Sequence, residues 1–446
     1  MNIWIDILHI PQFNFYRPFI TKLTEQGQHV YVTALGRGKL PAIVKRELSG
    51  MKNVSVKVIG KHRMTKWSAL LDANALRIIR LFFWVCGKKI DVAFSNGYQA
   101  GIMGRLFRFP VYEFGDDPQV SIYGMMCRFA TQNHSLIYEL PEGQRLDPRD
   151  KMLPVLKEWA YLNPRTFRPN VEVLKQYGVK EKEYMFLREV SVGTINYTGQ
   201  ESGAILGIKD MIPKGMKVLL SLEEKKRRGE YPEDWILLQE PIEDIHSLIY
   251  YAAGLVSSGD SMAREAALMG VPAYYLGIRY TMPANKAASN VAGLQNRLSM
   301  PFKEWIESLE DASLQFRGEK ENKNINNTAF AEINHKNIIG NQKSGDSVCC
   351  EQHTTSVSAD SVTVSELPLQ NHPLPSDSVS KDTESSPYEN ASDTSDAENH
   401  ENSHADSRVT AMLQRQIELR KHIDESFIDI NAYMLNLVEN VGSYKR

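Results

Sequence analysis

Residues 254–277 read GLVSSGDSMAREAALMGVPAYYLG, and side chains able to do chemistry are densest there. Gly254-Leu255-Val256 closes an apolar run. Ser257-Ser258-Gly259-Asp260-Ser261 is turn and helix-capping chemistry. Met262–Met269 is a predicted helix in which Ala263, Ala266 and Ala267 are small enough for close packing. Gly270 can end it, Pro272 cannot continue it, and Ala273–Leu276 is the next strand. Such strand–loop–helix–strand units build parallel sheets. The first N–H groups of a helix are unpaired and carry the positive end of its dipole, so Ser258, Gly259, Ser261 and Met262 mark a place that could receive a phosphate. Glu265, one turn further on, could accept hydrogen bonds from ribose hydroxyls. An ordinary crossover capped by Ser261, with Glu265 in solvent, fits the same residues. Asp260 complicates the site, because two anions about 4 Å apart repel by on the order of 1–4 kcal/mol. Phosphate binding with Asp260 turned aside is the expectation, and a degraded site is the alternative.

Ligands of open parallel sheets bind beyond the carboxyl ends of the strands. Asn96-Gly97, Asp116-Asp117, Arg188 and Ser221 all fall at such ends. Arg188 could neutralise a diphosphate or form a surface pair. Asp116 and Asp117 are candidate general bases, although Asp pairs are also common in turns. Asp6, inside the apolar strand Asn2–Leu8, is a third candidate catalytic carboxylate whose plainer role is to bond the following loop. The run Lys225-Lys226-Arg227-Arg228 reads as a solvated loop. No GxGxxG follows the first strand, which argues against a nicotinamide enzyme, and no metal site is expected.

A chain of 446 residues should form two domains. With 42% hydrophobic and 24% charged residues it is globular, and a net charge of −2 points away from nucleic acid. Four cysteines without C-x-x-C spacing predict neither zinc nor disulfides. The start MNIWIDILHIPQ lacks a basic region and is broken by Asp6 and His9, so it does not read as a signal peptide. The apolar helix predicted over Trp67–Cys86 carries Asp72, Arg77 and Arg80, which speaks against a membrane span. A cytoplasmic protein is expected, with the inner membrane face as a place of contact through that helix. Strands and helices alternate over 1–165, the N-terminal Rossmann-like domain, and again over 166–316, the C-terminal one. Glu158–Asn170 reads as the linker between them. A polar, low-complexity insertion over 317–405 is expected to be disordered, and 406–446 to form helices that pack back on the core.

The element S-G-x-x-M-x-x-E-A-A-x-x-G-x-P at 258–272, set in the second of two such domains, resembles the GT-B architecture of MurG-type glycosyltransferases and UDP-N-acetylglucosamine 2-epimerase. The chain is closer still to an uncharacterised family of archaeal and bacterial GT-B-like proteins (domain of unknown function three hundred and fifty-four). Its W-I-D-I opening is similar to Trp4–Ile7, its Pro-containing loop and F-x-x-P to Pro11 and Phe15–Pro18, and its K-E-x-A-Y-L element to Lys157–Leu162. The resemblance implies an α/β fold of two doubly wound parallel sheets facing a cleft, with returning C-terminal helices. It also implies a metal-independent enzyme of transferase or epimerase type in surface-polysaccharide or envelope-glycan metabolism. The substrate implied is a nucleotide sugar, a UDP-sugar foremost, and the partner a glycan or lipid-linked acceptor. The family's histidines are replaced here by Gln12 and Asn14 in the first loop, and by Ile195-Asn196-Tyr197 after the strand holding Arg188. A catalytically silent nucleotide-sugar binder or scaffold is therefore the alternative, unless Asp6, Asp116, Asp117 or Glu142 has taken over the proton transfer.

Overall fold

The computed structural model describes residues 1–62, 71–309 and 395–444, apart from 119, 121, 141, 144, 193–198, 240, 241 and 243. Met1–Glu321 and Ala405–Arg446 form one compact unit, distinct from Asn322–His404. Most of the insertion expected at 317–405 lies outside the described residues, as do Ile195-Asn196-Tyr197 and the first turns of the helix expected from Trp67.

Near-continuous apolar runs such as NIWIDI and HVYVTALG bury both faces of a strand, which is what a parallel sheet covered by helices on both sides requires. The first sheet contains β1 (Asn2–Ile7), β2 (His29–Gly36), β3 (Val54–Lys61), β4 (Val92–Ser95), β5 (Val111–Gly115), β6 (Gln132–Leu136) and β7 (Asp150–Leu153), in the order β3-β2-β1-β4-β5-β6-β7. The second contains β8 (Tyr184–Glu189), β9 (Lys217–Leu222), β10 (Ile236–Leu237), β11 (Gly254–Ser257), β12 (Ala273–Tyr275) and β13 (Gln295–Asn296), in the order β10-β9-β8-β11-β12-β13. Every pairing in both sheets is parallel. Each sheet reverses direction beside its first strand, β1 against β4 and β8 against β11, and these two switch points are where ligands bind in such folds. The architecture is the expected pair of doubly wound sheets.

Several local expectations are corrected. The presumed linker begins with a helix, Trp159–Leu162, whose four side chains are all buried. The long apolar helix is a π-helical turn, Leu71–Ala75, followed by an α-helix, Leu76–Val85. Strands β7 and β13 escaped the pattern because they are short and largely polar. The charge run is not simply solvated: Arg228 donates to the carbonyls of Tyr231, Glu233 and Trp235 at 3.0, 3.0 and 2.8 Å.

The C-terminal helices Ser395–Ser426 and Ile430–Tyr444 return across both lobes. Gln416 Nε2 donates to the carbonyls of Tyr250 and Met269 in the second lobe (3.2 and 3.0 Å), and Asn431 Nδ2 to that of Ala160 (2.8 Å). His134 Nε2 and the Tyr433 hydroxyl lie 3.1 Å apart in the first lobe.

Candidate functional site

The carboxyl ends of the two sheets meet, and charged side chains bridge them. Arg264, on the helix Asp260–Leu268, is 1% exposed. Its Nε and Nη2 donate to Glu158 Oε1 at 3.0 and 2.8 Å, its Nη1 to Asn285 Oδ1 at 2.6 Å, and its Nη2 lies 3.3 Å from Asp116 Oδ2. Burial opposes the guanidinium charge, but Glu158, Asp260 and Asp116 outweigh it and push its pKa further up. Lys157 Nζ donates to Asp116. Arg279, just beyond β12, reaches Asp117 Oδ2 at 2.6 Å and Asp260 Oδ2 at 3.0 Å. Asp260 therefore does not confront the cleft as a bare anion. Its carboxylate lies between Arg264 (3.5 Å) and Arg279 and accepts from the Ser261 N–H at 2.9 Å. The choice posed by the sequence, Asp260 turned away or the site degraded, gives way to a third arrangement in which two arginines neutralise it.

The helix start differs in detail from the capping expected. Its N-cap is Gly259, at φ −105° and ψ 137°, not Ser261. The Ser258 hydroxyl donates to Glu189 Oε1 and accepts from Val190 N–H, both at 2.9 Å, and so ties β11 to the end of β8. The Gly259 N–H is taken by Ser257 Oγ at 3.0 Å. Ser261 and Met262 are the helix-start residues that keep exposed surface. Glu265 is 6% exposed, accepts from the Tyr161 hydroxyl of the first lobe at 2.6 Å and lies 3.5 Å from His246 Nε2. Burial would raise its pKa, but His246 and Tyr161 prevail and lower it.

Arg188 and Ser221 are paired in register across β8 and β9, and Arg188 Nη1 donates to Ser221 Oγ at 2.6 Å. Its Nη2 meets Glu223 Oε1 at 2.5 Å. Asp6 lies elsewhere. It is fully buried in β1, bonded by Arg77 at 2.6 and 3.0 Å and by the Thr33 hydroxyl at 2.5 Å, and it anchors the Leu76–Val85 helix on the sheet rather than opening to the cleft. Burial would raise the pKa of Asp116, but Lys157 and Arg264 overcome that and hold it well below the usual carboxylate range, which makes it a weak base.

No motif in the sequence singles out His9. It is the N-cap of the helix Ile10–Glu25, at the carboxyl end of β1 beside the first switch point. Its pKa is lowered to about 3, first by burial and then by the Lys157 and Arg37 cations, with Asp116 opposing. It is thus a neutral imidazole and, while Lys157 and Arg37 face it, a weak base. Its position at a strand end was the signal available. Gln12 is structural: its Oε1 accepts from Leu8 N–H at 2.8 Å and its Nε2 reaches the Asn96 carbonyl at 3.4 Å, joining β1 to β4. Among the described residues no group of three or more His, Cys, Asp or Glu is placed to hold a metal ion.

Residues 1–99 match the model of a family described as "Protein of unknown function (DUF354)". An uncharacterized protein of Methanocaldococcus jannaschii is 23% identical over 292 residues, covering 61% of this chain and 80% of its own length. The fold is similar to that of the UDP-N-acetylglucosamine 2-epimerase of Methanocaldococcus jannaschii, solved in complex with UDP-N-acetylglucosamine and UDP. That likeness has a TM-score of 0.51 at 14% identity and covers 70% of this chain and 92% of the epimerase. It is also similar to that of a UDP-N-acetylglucosamine 2-epimerase, described as putative, from Listeria monocytogenes, with a TM-score of 0.50 at 12% identity over 70% and 88% of the two chains.

Proposed function

We propose that this chain is a nucleotide-sugar enzyme of the epimerase or glycosyltransferase kind, metal-independent, acting in the cytoplasm on surface-polysaccharide or envelope-glycan precursors. The observation that carries the reading is Glu265, a buried carboxylate one turn inside a helix start and held by Tyr161 from the opposite lobe. A UDP-sugar is the substrate. Its ribose hydroxyls meet Glu265, and its diphosphate lies between the Ser261–Met262 helix start and Arg188, with Ser221 orienting Arg188. Ser258 and Gly259 set the shape of that start rather than binding. His9 moves the proton at the sugar once the anionic substrate offsets the Lys157 and Arg37 cations that hold its pKa low, because Asp116 and Asp117 are held in ion pairs and Asp6 is in the core. Titration calorimetry with UDP tests this. Glu265→Gln and Arg188→Gln should each weaken binding by about tenfold or more, the loss expected for a charged hydrogen bond. Unchanged affinity in both variants overturns the assignment.

The locked state of Asp116 and Asp117 favours a second reading, a nucleotide-sugar binder or scaffold without turnover. Saturable UDP-sugar binding with no conversion in the wild type or in His9→Gln would establish it. A lipid-linked acceptor suits the first reading. Ile79, Phe82, Phe83 and Leu106 are exposed on the first lobe, with Arg80, Lys89 and Arg105 among them, which supports peripheral contact with an anionic membrane. Among the described residues no helix is long and apolar enough to cross one.

A further inference from the structure

The ends of β2 and β3 carry a cation that the nucleotide reading does not use. Their register runs Ala34↔Val58 and then shifts to Gly36↔Lys61, which is a β-bulge, a feature that re-aims side chains near active sites. The bulge depends on two glycines. A Cβ on Gly36 would stand 2.7 Å from the Gly60 carbonyl oxygen, and Gly60 itself sits at φ +82°, in the left-handed region. Pairing continues past the bulge, where His62 N–H donates to the Gly36 carbonyl at 2.9 Å. Arg37 and His62 are thereby set side by side at the carboxyl ends of β2 and β3, one and two strands away from His9 at the end of β1.

Among the described residues, the cleft charges that face Arg37 and His9 are committed to other partners. Lys157 is bound to Asp116, and Glu223, the carboxylate across the cleft whose field reaches Arg37, is bound to Arg188 and to Ser191 N–H. Among the described residues, nothing lies within hydrogen-bond or ion-pair distance of the half-buried Arg37 guanidinium. Burial lowers the pKa of both Arg37 and His62, and Arg37 lowers that of His62 further, so an anion arriving here would relieve both.

We infer that Arg37 and His62, with His9 nearby, form an oxyanion subsite on the first lobe, across the cleft from the Arg188–Glu223 pair. Its ligand is a carboxylate or phosphate carried by the sugar or the acceptor. The inference deepens the nucleotide-sugar reading, but the subsite can be tested without a nucleotide. The His62 ring resonance of the full-length protein, assigned with His62→Gln, is followed by NMR as inorganic phosphate is added. The expected result is a saturable shift that Arg37→Gln weakens by about tenfold and Arg37→Lys partly restores, with thermal stability unchanged. A ring that does not respond, or equal phosphate affinity in Arg37→Gln, overturns the proposal.

A second arm compares UDP-glucuronate with UDP-glucose. A preference for the acid that is lost in Arg37→Gln assigns the subsite to a sugar carboxylate. Equal affinities, with the phosphate response intact, assign it to a phosphate on the acceptor. If phosphate shifts His62 while UDP binds nowhere, the subsite stands and the nucleotide reading falls.

Discussion

Arg264 of the second lobe lies 2.8 Å from Glu158 of the first, and both side chains are 1% exposed. A charge pair so placed is sustained by its partners rather than by water. Removing one member leaves the other charged and unsatisfied in a low-dielectric interior. Arg264→Met should destabilise the folded unit by about 3–5 kcal/mol, read by urea denaturation, and adding Glu158→Leu should recover part of that loss. Equal stability of wild type and single variant would show that water reaches the pair.

His9 predicts a pH dependence. Its folded pKa of about 3 lies below the ordinary 6.5, so between those values the unfolded chain binds a proton that the folded chain refuses. Stability is then fully present above about pH 6.5 and is lost as pH falls toward 3, by on the order of 3–5 kcal/mol for this group. His134, lowered to about 4 mainly by burial, adds in the same direction. Glutamine cannot take up the proton, so the stability gap between His9→Gln and wild type should shrink or reverse from pH 7 to pH 4 in urea titrations. A constant gap would mean that His9 is solvated.

The membrane contact proposed for the first lobe calls for a careful choice of variants. Arg77 belongs to the basic residues of the apolar helix in sequence, but it is fully buried against Asp6, and reversing its charge would unfold the lobe rather than probe a surface. Phe83, at 71% exposure, and Arg80, at 49% side-chain exposure, are suitable. Phe83→Ser with Arg80→Glu should reduce co-sedimentation with anionic vesicles several-fold, as expected when buried apolar area and charge attraction are both removed, with unchanged thermal unfolding. Equal pelleting of both proteins refutes the contact.

Gly270 closes the Asp260–Leu268 helix at φ +76°, and a Cβ there would come within 2.9 Å of the Gln416 Cα. Gly270→Ala combines left-handed strain of about 1–2 kcal/mol with a clash against backbone that cannot swing aside. The expected result is a lower urea midpoint and faster proteolysis of the Ser395–Ser426 helix. An unshifted midpoint would show that this helix is free to move off.

The sheets were legible in the sequence because long apolar runs bounded by glycine and proline, such as Gly254–Ser257 before its helix and Gly270-Val271-Pro272 after it, admit few other arrangements. Which residue caps the helix was open in the sequence because three serines and a glycine compete within five residues, and only backbone dihedrals decide among them. Arg264 drew no notice in M-A-R-E-A-A, since its partners Glu158 and Asp116 lie 106 and 148 residues away. His9 and Arg37 are single residues at strand ends with no periodicity to announce them, and their meaning comes from strand order.

The hydrogen-bonding contact of His134 with Tyr433 spans 299 residues, and the Asn431 bond to Ala160 spans 271. The first lobe is thus finished by helices synthesised some 271–299 residues after the segments they cover. During translation its sheet must wait, with the surface meant for the C-terminal helices uncovered, until the second lobe and the long polar segment have emerged. Closing so long a loop costs little more than closing one half its length, about 0.6 kcal/mol per doubling, so the delay bears on rate far more than on final stability. The folding of this protein is expected to be limited by that late return, and a chain truncated before Gln416 should accumulate as a compact, chaperone-bound intermediate rather than as a smaller native fold.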